Sequence, residues 1–595
     1  NQTVPQAAVL HTWNRGRLTL RSGLDIRRLI LNTLLISNAS TFQFNGIVGP
    51  AGLIGSSPSQ LEAVSAELNT TLYGVNGGPT TPLRGWRSTE QEYFTQADFR
   101  WTSSLTINAG LRYSLFGTYS PVGNFMGNLY AVDPSGKIVP DVSPFKFGPT
   151  ANVVAPVTDD RPFHQPDRNN WQPRLGLAWN PGGRGSNVIR VAWGMYNDRF
   201  FQRLFDFGVL NPPYAHSNIF TFLPFPAGAK IPLDTAIPPQ GRFVDPTLRN
   251  PTTHRFNAAF ERRIAANTSV TVAYVGLRSD GLYRWAEPNG LGGVPQTARP
   301  DKRYARYRYT DNAADAQYDS LQVYARHRFT QGLDMTVAYT YSRNMDTYSQ
   351  DVGDNSVRNP APGLAQFPSL INLDGTPATG FQGGSRWAPR PVLAERGYSD
   401  FDVRHNLTVS HIYELPFGRG RRFASSMPAL LNAIVGNFSL AGVLTLRSAL
   451  PVYVSEGSDY ADVGIATSPR PALKQGSLSD IYADGRYGRT QHFLPKPEID
   501  QYFGIPTNVT DPYAVMRRNA LRGPAVQVYD MSVIKKFPVT ERTLLGLEAN
   551  FFNLLNHAIM GPPVAVVRDA RFGRVTSTLN GTNPRQVQLA LKLTF

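Results

Sequence analysis

Long stretches of this sequence change polarity at every residue, and a chain can satisfy that pattern in very few ways. In "SLTINAGLRYSLF", Leu105, Ile107, Ala109, Leu111, Tyr113 and Leu115 fall on one side, and Thr106, Asn108, Gly110, Arg112 and Ser114 on the other. A period of two belongs to the pleat of a β-strand, whereas a helix repeats every 3.6 residues. "NVIRVAWGMYND" sets Ile189, Val191, Trp193 and Met195 against Arg190, Ala192 and Gly194. Met335, Val337, Tyr339 and Tyr341 alternate with Thr336, Ala338, Thr340 and Ser342, and Leu545, Leu547, Ala549 and Phe551 with Gly546, Glu548 and Asn550. Such runs last about 9 to 13 residues, against the usual 5 or 6 of soluble proteins. Alternation alone gives about fifteen or sixteen of them. One stretch breaks the rule: "SQLEAVSAELNTTLY" spaces its apolar residues as a helix does, so a helix is expected there.

The connections alternate in length. Short ones include "WTSS", "PGGRGSN", "IAANT", "TQG" and "FPVTER", and between them lie long Gly/Pro/Asp-rich stretches near 121–168, 201–250, 346–398, 455–522 and 557–583. Transmembrane β-barrels are built this way, with short periplasmic turns and long outer loops. A soluble sandwich or propeller also alternates, but with shorter strands, and a propeller repeats near 40 residues; no such repeat is present. The expected fold is all-β, an antiparallel transmembrane barrel.

Composition agrees and removes rivals. Aromatics reach 11% and favour strands over helices. The net charge of +16 raises nucleic-acid binding, but the basic residues are scattered singly, as in "LRYSLF" and "ARHRF", and form no stripe to track a phosphate backbone. Arg lining a polar lumen accounts for them better, and no nucleic-acid partner is expected. With no Cys, thiolate metal sites, disulfides and Cys nucleophiles are excluded. No apolar run approaches the roughly 18 residues of a membrane helix. The opening "NQTVPQAAVLHTWNRGR" lacks the basic start and apolar stretch of a signal peptide, so either the signal was removed or Asn1 is not the natural start.

The chain ends "RQVQLALKLTF", with Val587, Leu589, Leu591, Leu593 and Phe595 on one side and Gln588, Ala590, Lys592 and Thr594 on the other. In a barrel the last strand is expected to pair with the first, its apolar stripe touching lipid and its terminal ring seated in the aromatic girdle. A terminal aromatic on such a strand resembles the signal read by the barrel-assembly machinery.

Several segments, taken in order, resemble TonB-dependent outer-membrane receptors: "YFTQADFRWTSSLTINAGLRY", "NNWQPRLGLAWNP" with "VIRVAWGMYNDRF", and "THRFNAAFERRIAANTSVTVAYVGLRSDGL". "YDSLQVYARHRFTQGLDMTVAYTYSRNMD" and "ERGYSDFDVRHNLTVSHIYELPFGRGRRF" are similar to the Oar-like branch, in which a carboxypeptidase-regulatory-like domain precedes the plug. "NALRGPAVQVYDMSVIKKFPVTERTLLGLEANFFNLLNHAIMG" resembles the last hairpin of these proteins. The resemblance implies a barrel of 22 strands whose lumen is wide enough to need a plug. It implies ligand capture by outer loops, and a plug moved by TonB with its ExbB and ExbD partners. No plug or TonB box is recognisable here, so residues 1–595 are expected to be the carboxy-terminal barrel portion, six or seven strands short. The expected location is a Gram-negative outer membrane. A plugless passive porin or structural surface barrel, and an adhesin or protein-secretion factor, are the alternatives.

No catalytic constellation, cofactor site or metal site is legible. His327, His405 and His411 lie on strands, with the last two on one face, and three or four convergent ligands are missing. Asp346, Asp351 and Asp354 in "DTYSQDVGDN" offer oxygen ligands for calcium, but their spacing does not match an EF-hand loop and acidic turns are ordinary. Trp101, Trp179 and Trp193 are expected in the interfacial girdle, and Trp387 in a loop where it could meet ligand. The ligand-binding residues themselves are not named by the sequence.

Overall fold

Fifteen long strands follow one another through one sheet in the computed structural model, each antiparallel to the strand before it. They are β1 Gln6–Arg15, β2 Leu18–Leu34, β3 Leu83–Arg100, β4 Leu105–Leu115, β5 Trp171–Trp179, β6 Asn187–Asn197, β7 Thr252–Ala265 and β8 Thr268–Ala286. The series continues with β9 Tyr307–Arg328, β10 Leu333–Asp346, β11 His405–Glu414, β12 Phe438–Arg447, β13 Val526–Pro538, β14 Leu544–Phe552 and β15 Gln586–Thr594. Every consecutive pair is hydrogen-bonded. The structure describes residues 2–34, 41–53, 63–69, 83–200, 208–221, 238–289, 301–349, 396–456, 470–504 and 516–595, apart from short interruptions within them. No helix among the described residues is long and apolar enough to cross a membrane.

Register carries the alternation from strand to strand. Ile107 lies opposite Leu177, Leu177 opposite Val191, Val191 opposite Ala258, Ala258 opposite Tyr274, Tyr274 opposite Leu321 and Leu321 opposite Tyr341. The next row along each strand holds Asn108, Gly176, Ala192, Asn257, Val275, Ser320 and Ser342. One face is therefore apolar across the wall, and the other is mostly polar or small. Leu175, Val191, Val272, Tyr274 and Leu321 stay exposed on the apolar face. A continuous apolar surface of this extent is not left in water, and hydrocarbon is the medium it suits. The apolar stripe of the last strand joins it, with Val587 opposite Phe551, Leu589 opposite Ala549, Leu591 opposite Leu547 and Leu593 opposite Leu545.

The expected pairing of last strand with first does not occur. β15 bonds to β14 and β1 to β2, and neither has a second partner among the described residues. Strand direction explains this. All but one of the connections at one end of the wall are short, and those at the other are long, so each strand can be oriented. With fifteen members the first and last both run from the long-loop end to the short-turn end. They would meet parallel, so antiparallel closure requires an odd number of further strands between them.

One more expectation is corrected. The region expected to be helical contains a strand, Ala63–Asn69, bonded on its two sides to Thr41–Phe44 and Ser217–Thr221. Partners from distant chain supply the backbone bonds that a helix would have made internally, and they override a local apolar spacing. The long connections also carry structure of their own. Gly127–Val132 pairs with Ile138–Val139 and Asn152–Pro156, and Gly241–Val244 pairs in parallel with the outer part of β9. At the opposite end, the connection between β11 and β12 holds a short helix, Ala429–Val435.

Glycines on the wall leave room for cross-strand rings. Phe256 lies across Gly276, where an added Cβ would fall 2.2 Å from the ring. At Gly176 the same Cβ meets only ordinary contacts at 3.6 Å. Gly276→Val is therefore expected to lower unfolding stability in lipid vesicles by about 1–3 kcal/mol, and Gly176→Ala to change it by about 0.5 kcal/mol or less. Urea unfolding followed by tryptophan fluorescence checks both.

Candidate functional site: the polar wall and its outer cap

The polar face of the wall is laced by short-range pairs. Asp98 accepts hydrogen bonds from Gln96 at 3.1 Å and Asn108 at 2.5 Å, with Arg21 3.6 Å away. Arg112 pairs with Glu92, Arg190 with Glu261 at 2.7 Å, and Arg326 with Asp334 at 2.7 Å. These half-exposed pairs contribute little to stability. They satisfy one another's charge on a surface that water reaches.

One part of this face differs. Arg174 on β5, Gly194 on β6 and Arg255 on β7 are direct cross-strand neighbours. Tyr196 leans back over Gly194, with its ring 3.0 Å from where a Cβ would sit. The Arg174 guanidinium carbon lies 4.5 Å from the Tyr196 ring centre and that of Arg255 5.1 Å, close enough for both cations to feel the ring. Around them is a cavity of about 520 Å³, whose lining contains Gln96, Asn108 and Asn257 but no carboxylate.

Above the wall, the long connections pack into a cap. One part is a buried cluster that includes Trp86, Tyr119, Phe163, Phe200, Val244 and Leu248. Loop backbone this deep needs internal partners, and buried asparagines supply them. The Asn128 amide donates to the carbonyls of Phe163 and Val244 at 3.2 and 2.9 Å and accepts from Val244 N–H at 3.0 Å. Asn211 joins Gly127 to Arg242 in the same manner, and Asn289 joins Asp301 to Tyr304 and Ala305. A second cluster gathers Val454, Ile481, Phe493, Ile499, Phe503, Leu521 and Phe572 from the later loops.

Buried ion pairs tie the outer ends of the strands to one another and to the cap. Arg284 grips Asp311 through two bonds of 2.8 and 2.9 Å. Arg518, 1% exposed, pairs with Asp346 at the end of β10 and donates to Ser349 at 2.7 Å. Arg522 pairs with fully buried Asp402. His164 is also fully buried, its Nδ1 2.9 Å from the Gln165 carbonyl and its ring against Phe200. Burial pushes its imidazole down to about 4. At the rim a cavity of about 380 Å³ is lined by Asp167, Asn197, Asp245, Asn250 and Asn312 among others, and burial raises the Asp245 carboxyl above the usual range.

The residues singled out in the sequence do not converge. His405, His411 and His327 each meet a hydroxyl, of Tyr339 at 2.8 Å, Tyr529 at 3.0 Å and Thr268 at 2.6 Å. His405 and His411 share one face, as expected, and register makes it the apolar one. Asp346 is engaged by Arg518, while Asp351, Asp354 and Trp387 lie outside the described residues. No group of His, Asp or Glu suited to a metal occurs among the described residues. Trp101 and Trp179 sit exposed at the short-turn end, whereas Trp193 lies further up the wall, opposite Leu175 and Phe256. Sequence reading missed Arg174, Tyr196 and Arg255. Their signal was an Arg on the polar side of two strands flanking a Gly-x-aromatic.

Residues 1–588 match the family described as outer membrane beta barrel domain. No curated protein matches. Among solved structures, the chain is similar to the outer membrane transporter YddB from Escherichia coli, with 9% identity and TM-score 0.43 over 100% of this chain and 62% of that one. It is similar to the ferripyoverdine receptor of Pseudomonas aeruginosa, at 8% and 0.40 over 100% and 48%. It is also similar to the siderophore receptor PiuA from Acinetobacter baumannii, at 8% and 0.39 over 100% and 55%. The chain thus spans about half to three fifths of the length of these structures.

Two outcomes follow for the cap. Arg518→Leu leaves Asp346 buried and unpaired, so the tie should weaken by about 3–5 kcal/mol; hydrogen exchange at residues 516–522 should rise, and Arg518→Leu/Asp346→Leu should restore most of the protection. His164 has a folded-state value below that of the unfolded chain, so unfolded His164 takes up the proton first as pH falls. The stability from neutral burial is whole above pH 6.5 and is lost as pH falls towards 4, on the order of 3 kcal/mol. Limited proteolysis should nick the cap faster at pH 5 than at pH 7, and His164→Phe should remove that difference.

Proposed function

The chain belongs to the outer membrane beta barrel domain family, and from that premise we propose that it is the barrel portion of a TonB-dependent receptor that takes up a ligand captured by its outer loops. It resides in the outer membrane, with the apolar face towards lipid. The observation that carries the proposal is the unfinished wall. Two unpaired edges running in the same direction call for an odd number of further strands. A 22-stranded receptor barrel would need seven more, which meets this parity as every even-numbered barrel does. The polar inner face and the packed cap suit a passage with a ligand-holding roof better than a structural shell. The ordered hairpins ending in "FFNLLNH" support the Oar-like branch.

On this reading a plug fills the lumen, and TonB, energised through ExbB and ExbD, acts on that plug. The barrel contributes a wall whose backbone is satisfied internally and an inner surface across which a hydrophilic solute can move. Val587, Leu589, Leu591, Leu593 and Phe595 present the terminal lipid stripe, which the barrel-assembly machinery reads during insertion. The reading assigns the barrel no covalent chemistry and no resident cofactor.

The protein isolated from native outer membranes should be longer than this chain, and a cysteine placed in its TonB box should crosslink to the periplasmic domain of TonB. A native protein that fails to crosslink and conducts steadily in a planar bilayer would replace the receptor with a passive pore.

A further inference from the structure

We propose that Arg174, Tyr196 and Arg255 form an oxyanion site on the inner wall, where a carboxylate or phosphate of a passing solute is held by two guanidinium groups. The site follows from register. Arg174 and Arg255 flank Gly194 on the neighbouring strands, so their side chains leave the wall on either side of the same point. The missing side chain at Gly194 lets Tyr196 lie down between them, and the ring holds both cations at 4.5 and 5.1 Å. A larger residue at 194 would push the ring away and separate the pair.

Charge sets these two apart from several other arginines of the wall. Arg112, Arg190 and Arg326 each have a carboxylate. Arg174 and Arg255 have neither an ion-pair nor a hydrogen-bond partner among the described residues, and the Arg174 Nε is buried without one. The nearby Asp98 is already committed to Gln96, Asn108 and Arg21. A guanidinium presents donors in a fork that fits two oxygens of a carboxylate or phosphate. Two such forks over a 520 Å³ cavity with amides and no acid leave room for a multiply charged solute such as citrate. The site lies three residues below the outer ends of β5 and β7, directly beneath the cap, so a solute leaving the loops would meet it early.

The test uses the native protein and its variants purified from outer membranes, with citrate and inorganic phosphate as probes in equilibrium dialysis. Wild type should retain citrate, and raising the salt should weaken retention. Arg174→Gln and Arg255→Gln should each reduce affinity about tenfold or more, and the double variant should abolish binding. Arg174→Lys/Arg255→Lys keeps the charge but loses the forks, and should bind several-fold more weakly while folding normally. Citrate retained and phosphate not would assign the site to carboxylates, and the converse to phosphates. Binding of citrate by the Gln double variant as tightly as by wild type would overturn the proposal, as would equal binding of choline and citrate by wild type. TonB crosslinking stays intact in these variants whether or not the anion site is real, so its failure leaves the receptor reading standing.

Discussion

Every peptide group placed in hydrocarbon must find its hydrogen-bond partner within the protein, because the bilayer core offers no water. The rest of this architecture depends on that requirement. A meander of antiparallel neighbours meets it with the shortest connections, and thirteen of the fifteen strands here are bonded on both sides. The same pairing fixes the pleat. Once Ile107 faces lipid, register obliges Leu177, Val191 and Tyr274 to do so, and Asn108, Gly176 and Asn257 to face inward. A one-residue slip anywhere would bury polar side chains in lipid across a whole strand, so the alternation is a register lock as much as a solubility pattern.

The cap obeys the opposite rule. Its backbone is irregular, so bonds that strands would make with each other must come from side chains. Asn128, Asn211 and Asn289 serve here because one amide both donates and accepts, and so bridges two strands of loop that never pair. Arg518 and Arg522 then anchor the cap on Asp346 at the outer end of β10 and on Asp402 beside β11, while Arg284 and Asp311 join the outer ends of β8 and β9. Such buried pairs are costly to break singly, so they fix where the loops lie more than they add stability.

The wall was legible in the sequence because its rule is local. Leu105 to Leu115 announces a strand and both its faces without reference to any partner, and Val587 to Phe595 does the same. What failed was non-local. The apolar spacing within 59–73 suggests a helix until Thr41–Phe44 and Ser217–Thr221 arrive as partners for Ala63–Asn69. Closure of last strand on first was expected from barrel logic, but it depends on the parity of the strand count, which no single strand carries. Of the site, the sequence gives an Arg-rich inner face. It does not give Arg174, Gly194 and Arg255 as one row, because 80 residues separate the two arginines and only register joins them.

That row also bears on the excess positive charge of +16. An unpaired guanidinium on a wall is tolerable only where water or an anion can reach it. Arg112, Arg190 and Arg326 avoid the problem by pairing with a neighbouring strand's carboxylate, at little gain in stability. Arg174 and Arg255 instead share a tyrosine, which cannot neutralise them. An aromatic face orients a guanidinium while leaving its in-plane N–H donors open. An Asp or Glu at 194 or 196 would neutralise these cations. Glycine and tyrosine there preserve two oriented, uncompensated cations facing the lumen, which is the arrangement that binding an anion requires.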